Sequence, residues 1–271
     1  MRPARAIVEA QLDRLPVLPA VAQHLIESLD DPDVRTDTLA KDITIDPVLA
    51  GRVIRAANSA FYAPPQPLDT LDKALRYLGF AQVRSIVLTS VLTAQMQVPG
   101  QNLAKFWRRS LRTAVYAKTL AGWIDAPDES AYLLGIVHDI GYLVLSMAAP
   151  EEMSAIAAEH EGRALQLAAE HKTIGCSSLA VTASLLRTWG FPNNLTFALE
   201  LDDAHSLGHS EGCLPLGPLG TALHVARSIA AGDTPTQGLD VLALEDLTHE
   251  SVQEALLDVD TSRFDDMINA G

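Results

Sequence analysis

At residues 132–145 the chain reads Tyr132-Leu133-Leu134-Gly135-Ile136-Val137-His138-Asp139-Ile140-Gly141-Tyr142-Leu143-Val144-Leu145, an apolar run that contains one carboxylate, Asp139. Side chains as apolar as these are usually buried, so the run predicts that Asp139 is buried with them. A buried carboxylate is costly unless it is paired with a cation, bound to a metal or neutralised by a proton. The sequence therefore predicts a compensating partner for Asp139.

The composition of the 271-residue chain favours an all-α fold. Hydrophobic residues make up 48% of the chain and aromatic residues only 5%, which suits close-packed helices better than a β-sandwich or barrel. The formal net charge of −14 argues against nucleic acid, which attracts proteins with a basic surface, and against an anionic membrane. The same charge is compatible with binding to basic protein surfaces.

Helix start and stop signals recur along the chain. Asp46-Pro47 is typical of a helix N-terminus, and Thr70 and Gly79 are placed to begin and end a short helix. Asn58, followed by Ser59, is interpreted as a helix stop whose side chain fastens the next loop. Hydrophobic periodicity predicts further helices at about 151–160, 163–172, 176–189, 193–201 and 217–231, with loops at 203–218 and 232–238 and a helical tail after them.

The best candidate for a domain boundary is Val98-Pro99-Gly100-Gln101, where turn-forming residues cluster. We therefore predict an N-terminal helical subdomain over residues 1–98 and a second helical subdomain, with a C-terminal tail, over residues 99–271. No repeat or low-complexity segment adds a further division.

The cysteine content and the hydropathy pattern indicate a cytoplasmic protein. Cys176 and Cys213 are the only cysteines, and their spacing fits neither a redox motif nor a zinc cluster. The sequence shows no uncharged apolar stretch long enough for a transmembrane helix, and no apolar core of a signal peptide follows the basic N-terminus.

Six short motifs occur in a fixed order that is typical of one protein family. They are Leu15-Pro16-Val17-Leu18-Pro19, Asp46-Pro47, Ala57-Asn58-Ser59-Ala60-Phe61-Tyr62, Ala74-Leu75-Arg76-Tyr77-Leu78-Gly79, Phe106-Trp107-Arg108-Arg109-Ser110-Leu111 and Gly135-Ile136-Val137-His138-Asp139-Ile140-Gly141. Each motif is weak alone, but the ordered set resembles the HDOD family, the HD-related output domains of bacterial signalling proteins. The resemblance covers about residues 12–231.

This resemblance implies an all-α, multi-helix HDOD fold in which an N-terminal helical subdomain packs on a subdomain similar to the HD phosphohydrolases. In those enzymes one His, a His-Asp pair and a distant Asp bind metal ions that activate water and neutralise phosphate charge. The pair is retained here as His138 and Asp139, and Gly141 follows in the motif. The other matched positions of metal-binding relatives hold Arg109, Ser178, Asp202, Asp203 and Arg227.

Arginine at two of these positions changes the expected chemistry. A guanidinium stays protonated and repels a cation, so neither Arg109 nor Arg227 can replace a metal ligand. We hypothesise that Arg109, Arg227 or both pair with Asp139, so that an ion-pair network stands where relatives hold metal. A purely structural His138-Asp139 pair and a vestigial ligand-binding pocket, which Ser178, Asp202 and Asp203 would help to line, remain alternatives.

The resemblance implies a non-catalytic regulatory module that needs no cofactor and binds a protein partner or a small ligand. Such a partner, for example a cyclic-dinucleotide or phosphorelay component, would act in trans. One alternative is a metal-dependent phosphohydrolase acting on a nucleotide or cyclic dinucleotide, in which Asp202, Asp203 or His205 would close a metal site around His138 and Asp139. Another is a metal-free sensor whose arginines bind an anionic nucleotide.

Overall fold

Every regular element in the described part of this computed structural model is a helix, so the all-α prediction is confirmed. The structure describes residues 2–11, 15, 17–29, 41, 43–44, 46–59, 62–96, 98, 100–208 and 215–231. The predicted helical tail, the loop at 232–238 and Cys213 lie outside these ranges. The described chain divides into two compact units by its contacts.

One unit comprises residues 16–108 together with Trp189–Pro192, as far as these are described. Helices are numbered in chain order, and this unit contains the second to the fifth of the described helices: α2 (Ala20–Glu27), α3 (Pro47–Ala57), α4 (Leu71–Leu78) and α5 (Phe80–Gln95). Helix α5 packs against α2, α3 and α4, and so forms the centre of this unit.

Two of these helices begin at the caps that the sequence predicts. The Asp46 carboxylate accepts hydrogen bonds from the backbone N–H groups of Val48 and Leu49 at 2.9 and 3.1 Å, directly before Pro47. The Thr70 hydroxyl accepts one from Lys73 N at 3.2 Å, and α4 ends at Gly79 with a φ of 79°. Side-chain acceptors thus satisfy backbone donors that a helix start leaves without intrahelical partners.

Asn58 and Ser59 form the end of α3, where the sequence predicts a fastened loop. The Asn58 amide donates to the carbonyls of Ile54 at 2.8 Å and Leu68 at 2.7 Å, and its oxygen accepts from Leu68 N at 2.7 Å. Ser59 is buried beside it. Asn58 therefore closes the loop between α3 and α4 with a pair of hydrogen bonds to Leu68. This structural role explains the presence of an asparagine here, with no need for a bound ligand.

The other unit comprises residues up to 15, Arg109–Thr188 and the described residues from Asn193 onward. Its helices are α1 (Arg2–Gln11), most of α6 (Leu103–Ala121), α7 (Asp128–Val137), α8 (Ile140–Ala148), α9 (Pro150–Glu159), α10 (Arg163–Ile174), α11 (Ser178–Thr188), α12 (Asn193–Ser206) and α13 (Gly217–Ala230). Helix α11 packs against α1, α8, α10 and α12, and α13 packs against α7 and α12. Helices α8 and α11 are therefore central in this unit.

The apolar run at residues 132–145 comprises the end of α7, the junction at His138 and Asp139, and the greater part of α8. The segment Asp128–Ala148 is the one stretch of the described residues that is long and apolar enough to cross a membrane, but 83% of its apolar window is buried inside the protein. Burial of this kind is expected of the core helices of a globular domain.

Two boundaries differ from the sequence predictions. Helix α12 continues to Ser206, so the predicted loop at 203–218 is wrong in its first residues, and Asp202 and Asp203 are helical. The contact-based units also group α1 with the second half of the chain and extend the first half to Arg108. The division into subdomains 1–98 and 99–271, as folding units, stays a prediction.

Candidate functional site

His138 and Asp139 lie at the junction where α7 ends and α8 begins. Both are buried, with 4% and 2% of their surface exposed. The His138 ring places Nδ1 2.7 Å from the carbonyl oxygen of Gly135. Because a carbonyl can only accept, Nδ1 carries the proton of the neutral ring. Burial lowers the pKa of His138 to about 4, while the charges of Asp139 and Arg227 act on it in opposite directions.

Two glycines let the neighbouring helices approach this junction. A Cβ atom on Gly141 would lie 2.1 Å from the backbone oxygen of Ser178 in α11, and one on Gly135 would lie 2.3 Å from Ala114 Cα in α6. Gly141 N also donates to Thr182 Oγ1 at 2.9 Å. The absence of side chains at these two positions brings α6 and α11 close to Asp139.

Two guanidinium groups pair with the Asp139 carboxylate. Arg109 Nη2 lies 2.6 Å from Oδ2, and Arg163 Nη2 lies 2.7 Å from Oδ1. Burial alone would raise the pKa of Asp139, but the charges of Arg163 and Arg109 hold the pKa below its usual range. The Arg109 pair is the one hypothesised from the sequence, whereas Arg163 has no counterpart in that hypothesis.

Arg163 connects Asp139 to a second buried carboxylate, Glu170. Its Nη1 donates to Glu170 Oε1 at 2.8 Å, and its Nη2 also donates to Ser178 Oγ at 2.6 Å. Glu170 is fully buried and accepts a further bond from Ser178 N at 2.7 Å. The guanidinium lies over the Tyr142 ring, 4.9 Å from its centroid. We call Asp139, Arg109, Arg163 and Glu170 the Asp139 centre.

Sequence reasoning missed Arg163 and Glu170 because Arg163 follows Gly162 at a predicted helix start, where arginine is usually exposed. One signal was present: the two residues are seven apart, which places them on one face of a helix. Although burial opposes the charged form, Asp139 and Glu170 raise the pKa of Arg163 above its ordinary value.

A second buried carboxylate, Asp202 on α12, has its own partners on α13. Arg227 Nη1 lies 2.9 Å from Oδ2, and His224 Nδ1 lies 2.7 Å from Oδ1. Asp202 is fully buried, yet the charges of Arg227 and the bond from His224 overcome the effect of burial and lower its pKa. We call these three residues the Asp202 centre. Of the two partners hypothesised for Asp139, Arg109 pairs with it, whereas Arg227 pairs with Asp202 instead.

Asp203 and His205, the remaining candidate residues from the sequence, lie next to the Asp202 centre. Asp203 accepts a short hydrogen bond from Ser177 Oγ, and burial raises the pKa of Asp203. His205 stacks edge-to-face on His224, with ring centroids 4.8 Å apart. His224 is a further residue that sequence reasoning did not select.

A small pocket opens beside the Asp139 centre and Arg227. The residues that line it include Arg109, His138, Asp139, Arg163, Arg227 and Ala231. We call it the arginine pocket. Its volume of about 20 Å³ accommodates roughly one or two water-sized groups. Ser178, Asp202 and Asp203, which were expected to help line a vestigial pocket, are not among the residues that line this one. Ser178 and Asp202 bond to the side chains of Arg163 and Arg227, and Asp203 bonds to Ser177.

The donor set of this site does not fit the metal that the HD phosphohydrolases hold. Both carboxylate oxygens of Asp139 accept from guanidiniums, and Arg109 and Arg227 offer no lone pair to a cation. Across the described residues, no group of three or more His, Cys, Asp or Glu is arranged to hold a metal ion. Asp202 binds Arg227 and His224 and so is not available to complete a site around His138.

Comparisons with known proteins agree with this fold. The sequence model of the HDOD domain matches residues 15–204. A Shewanella amazonensis structure whose name proposes a phosphohydrolase has a TM-score of 0.79, with 24% identity over 98% of each chain. An HDOD domain protein of unknown function from Geobacter sulfurreducens has a TM-score of 0.78, with 20% identity over 98% of each chain.

Two longer proteins are also similar. A Marinobacter aquaeolei VT8 structure, whose name proposes a role in signal transduction, has a TM-score of 0.74 and 25% identity over 97% of this chain and 60% of that one. An uncharacterized protein of Treponema pallidum (strain Nichols) is 21% identical over 236 residues, which are 85% of this chain and 45% of that protein. The chain thus spans less than half of this curated relative. Because the family match covers most of the chain and the helical fold is shared with an HDOD structure, the chain belongs to the HDOD family.

Proposed function

We propose that this chain is a non-catalytic regulatory module of bacterial signal transduction, which acts in the cytoplasm by binding. One observation carries the proposal: both oxygens of Asp139, the carboxylate of the retained His-Asp pair, accept from guanidiniums at 2.6 and 2.7 Å. A hydrolytic metal needs deprotonated ligands and an open position for water. Asp139 is deprotonated, but guanidiniums already occupy both of its oxygens, and their positive charge repels a metal ion from the open position.

The rigidity of the Asp139 centre supports a structural use of the old site. Asp139 and Glu170 are almost fully buried, and Arg163 binds both of them with 12% of its side chain exposed. Such a network aligns α8, α10 and α11 and leaves binding to the pocket and the outer surface. Buried ion networks are attested as devices that fix one arrangement of packed elements.

The partner of this module is expected to be a separate protein with a basic surface. The formal charge of −14 favours such a partner by electrostatic complementarity. The Marinobacter relative, whose name proposes a role in signal transduction, is longer than the region it shares with this chain. We propose a cyclic-dinucleotide or phosphorelay protein as this partner; nucleic acid and membrane are not proposed as partners.

Metal content and hydrolysis test the proposal. The full chain is purified without chelator or affinity tag, its iron, manganese and zinc are measured before and after incubation with excess cation, and hydrolysis of a nucleotide and of a cyclic dinucleotide is assayed. We expect no stoichiometric metal and no turnover. Near-stoichiometric metal that is lost in His138→Ala, together with hydrolysis, would overturn the proposal.

A double variant tests whether Arg109 and Arg227 are what prevents metal binding. Arg109→His with Arg227→Asp restores the ligand types of HD phosphohydrolases while leaving His138 and Asp139 in place. We expect this variant to bind more metal than the parent under the same conditions. Equal metal binding by the two proteins would mean that the arginines are not what excludes the cation.

A further inference from the structure

Three guanidiniums and one carboxylate line the arginine pocket. Arg109, Arg163 and Arg227 come from α6, α10 and α13, three helices that are far apart in sequence. Their side chains remain 24%, 12% and 10% exposed, so each retains surface outside its ion pairs. Of the carboxylates that balance them, only Asp139 lines the pocket, and its side chain is 3% exposed.

Among the charged groups that line the pocket, guanidiniums outnumber carboxylates by three to one. Glu170 and Asp202, which pair with Arg163 and Arg227, are fully buried and do not line the pocket. His138 adds no negative charge to the wall, since neutral imidazole is its form at neutral pH. A group in the pocket therefore meets guanidinium edges more closely than it meets carboxylates, and charges in such a partly enclosed site are screened less than on an open surface.

Arg227 makes fewer hydrogen bonds than Arg163 does. Within the described residues it donates one close bond, to Asp202 at 2.9 Å, and one long bond, to Ser206 Oγ at 3.5 Å. A guanidinium carries five N–H donors in a planar fork, so Arg227 has donors left for a ligand with several oxygens. Arg163, by contrast, donates to Asp139, Glu170, Gln166 and Ser178.

We propose that the arginine pocket binds the phosphoryl group of a small phosphomonoester or free orthophosphate, without metal. This inference rests on the proposed function, because a metal-loaded hydrolytic site would use the same residues differently. A tetrahedral oxyanion presents oxygens in several directions, which suits donors that converge from three helices. A planar carboxylate would engage fewer of them.

The charge and the size of the pocket define the ligand further. A phosphomonoester carries close to two negative charges at neutral pH, whereas each phosphate of a cyclic dinucleotide carries one, so the monoester gains more from three guanidiniums. A volume of about 20 Å³ has room for one or two oxygen atoms of the phosphoryl group but not for a sugar or a base. In a nucleotide ligand those parts would stay at the mouth of the pocket.

Titration calorimetry on the chelator-treated full chain tests this site with three probes: orthophosphate, a nucleoside 5′-monophosphate and a cyclic dinucleotide. We expect the first two to bind and the cyclic dinucleotide to bind at least about tenfold more weakly, a ratio that corresponds to one charged hydrogen bond. Comparable binding of orthophosphate and the monophosphate identifies the phosphoryl group alone as the ligand, whereas tighter binding of the monophosphate adds contacts at the mouth. No binding of either, or tighter binding of the diester, would overturn the proposal.

Two variants locate the site without removing an ion pair from the Asp139 centre. Ala231→Glu adds a carboxylate at the pocket wall and leaves every arginine in place, and Arg227→Lys keeps the positive charge but removes the fork. Each is expected to weaken phosphate binding by about tenfold or more. Arg187→Ala, which removes an exposed arginine paired with Glu200, is the matched control and should bind like the parent.

The outcomes separate this inference from the proposed function. Unchanged phosphate affinity in Ala231→Glu, with the variant folded by its thermal transition, would place the anion elsewhere and overturn the site. Absence of binding together with absence of metal and hydrolysis would remove the anion site and leave the proposed function standing. Metal-dependent turnover of the monophosphate would instead remove the proposed function.

Discussion

Two buried carboxylates of the same helical unit are neutralised by different sets of donors. Asp139 accepts from two guanidiniums, at 2.6 and 2.7 Å. Asp202 accepts from one guanidinium, that of Arg227 at 2.9 Å, from one imidazole, that of His224 at 2.7 Å, and from the Ser206 hydroxyl at 3.2 Å. Their side chains are 3% and 0% exposed, so burial alone does not distinguish the two centres.

The difference lies in how many charges depend on one side chain. In the Asp139 centre, Arg163 pairs with both Asp139 and Glu170. Truncation of Arg163 would therefore remove a paired cation from two buried carboxylates at once, although Asp139 would keep Arg109. In the Asp202 centre the imidazole still donates when Arg227 is removed. We therefore expect the Asp139 centre to be more sensitive than the Asp202 centre to the loss of a single arginine.

The largest expected effect is that of Arg163→Ala. It breaks a buried network while leaving the charges of Asp139 and Glu170 in place, and such a break costs roughly 3–5 kcal/mol of unfolding free energy. Urea unfolding at neutral pH, followed by circular dichroism, measures the loss. A cost below about 1 kcal/mol would mean that the network is solvated and would remove the distinction between the centres.

Arg187→Ala is the control, since it removes an arginine and its ion pair from the surface and not from the buried network. Its ion pair with Glu200 has side-chain exposures of 43% and 23%, so solvent screens it. We expect a change of about 0–1 kcal/mol. A cost as large as that of Arg163→Ala would show that the effect does not come from the buried network.

Gly141→Ala tests the helix approach that supports the Asp139 centre. The added Cβ would lie 2.1 Å from Ser178 O and 2.7 Å from Thr182 N, which are backbone atoms and cannot rotate away. Overpacking typically costs about 1–3 kcal/mol and occasionally more, and because the contacts are with backbone we expect the upper end of that range and a lower melting temperature. Gly51→Ala is the matched control, since a Cβ there meets nothing within 4 Å, and alanine in a helix should be neutral or stabilise by about 1 kcal/mol.

Arg227→Ala should cost less than Arg163→Ala. Its loss removes a charged hydrogen bond from Asp202 but leaves the bond from His224, so a cost of roughly 2–3 kcal/mol is expected in the same urea experiment. If Arg227→Ala proves the more destabilising of the two substitutions, the assignment of the rigid centre to Asp139 is reversed.

Local signals in the sequence predicted the fold better than they predicted the site. Asp46 and Thr70 cap their helices as expected, because a cap depends on residues within three positions. Helix α12 extends past its predicted end because Asp202 and Asp203, which suggest a loop by composition, have partners elsewhere in the fold. Tertiary contacts thus override local polarity at this point.

The sequence predicted a site residue only where its position matches a metal-binding residue of the HD phosphohydrolases. Arg109 was selected because it matches a histidine position of the HD phosphohydrolases, and it does pair with Asp139. Arg163, Glu170 and His224 match no such position, and their partners lie 24, 8 and 22 residues away in sequence. No periodicity or cap signal encodes a contact of that kind, so long-range pairing of buried charges required the structure.

The smallest expected effect concerns His138, which responds to both centres through the charges of Asp139 and Arg227. Its pKa is about 4 in the folded chain, against about 6.5 for a free imidazole, so between these values the unfolded chain binds more protons. Stability is therefore lost as pH falls through this window. From pH 7 to pH 5 the parent should lose about 2 kcal/mol more unfolding free energy than His138→Gln, which cannot titrate. Parallel urea-unfolding curves for the two proteins at both pH values would show that His138 is protonated as readily in the folded chain as in the unfolded one, and that the two centres do not isolate it from solvent.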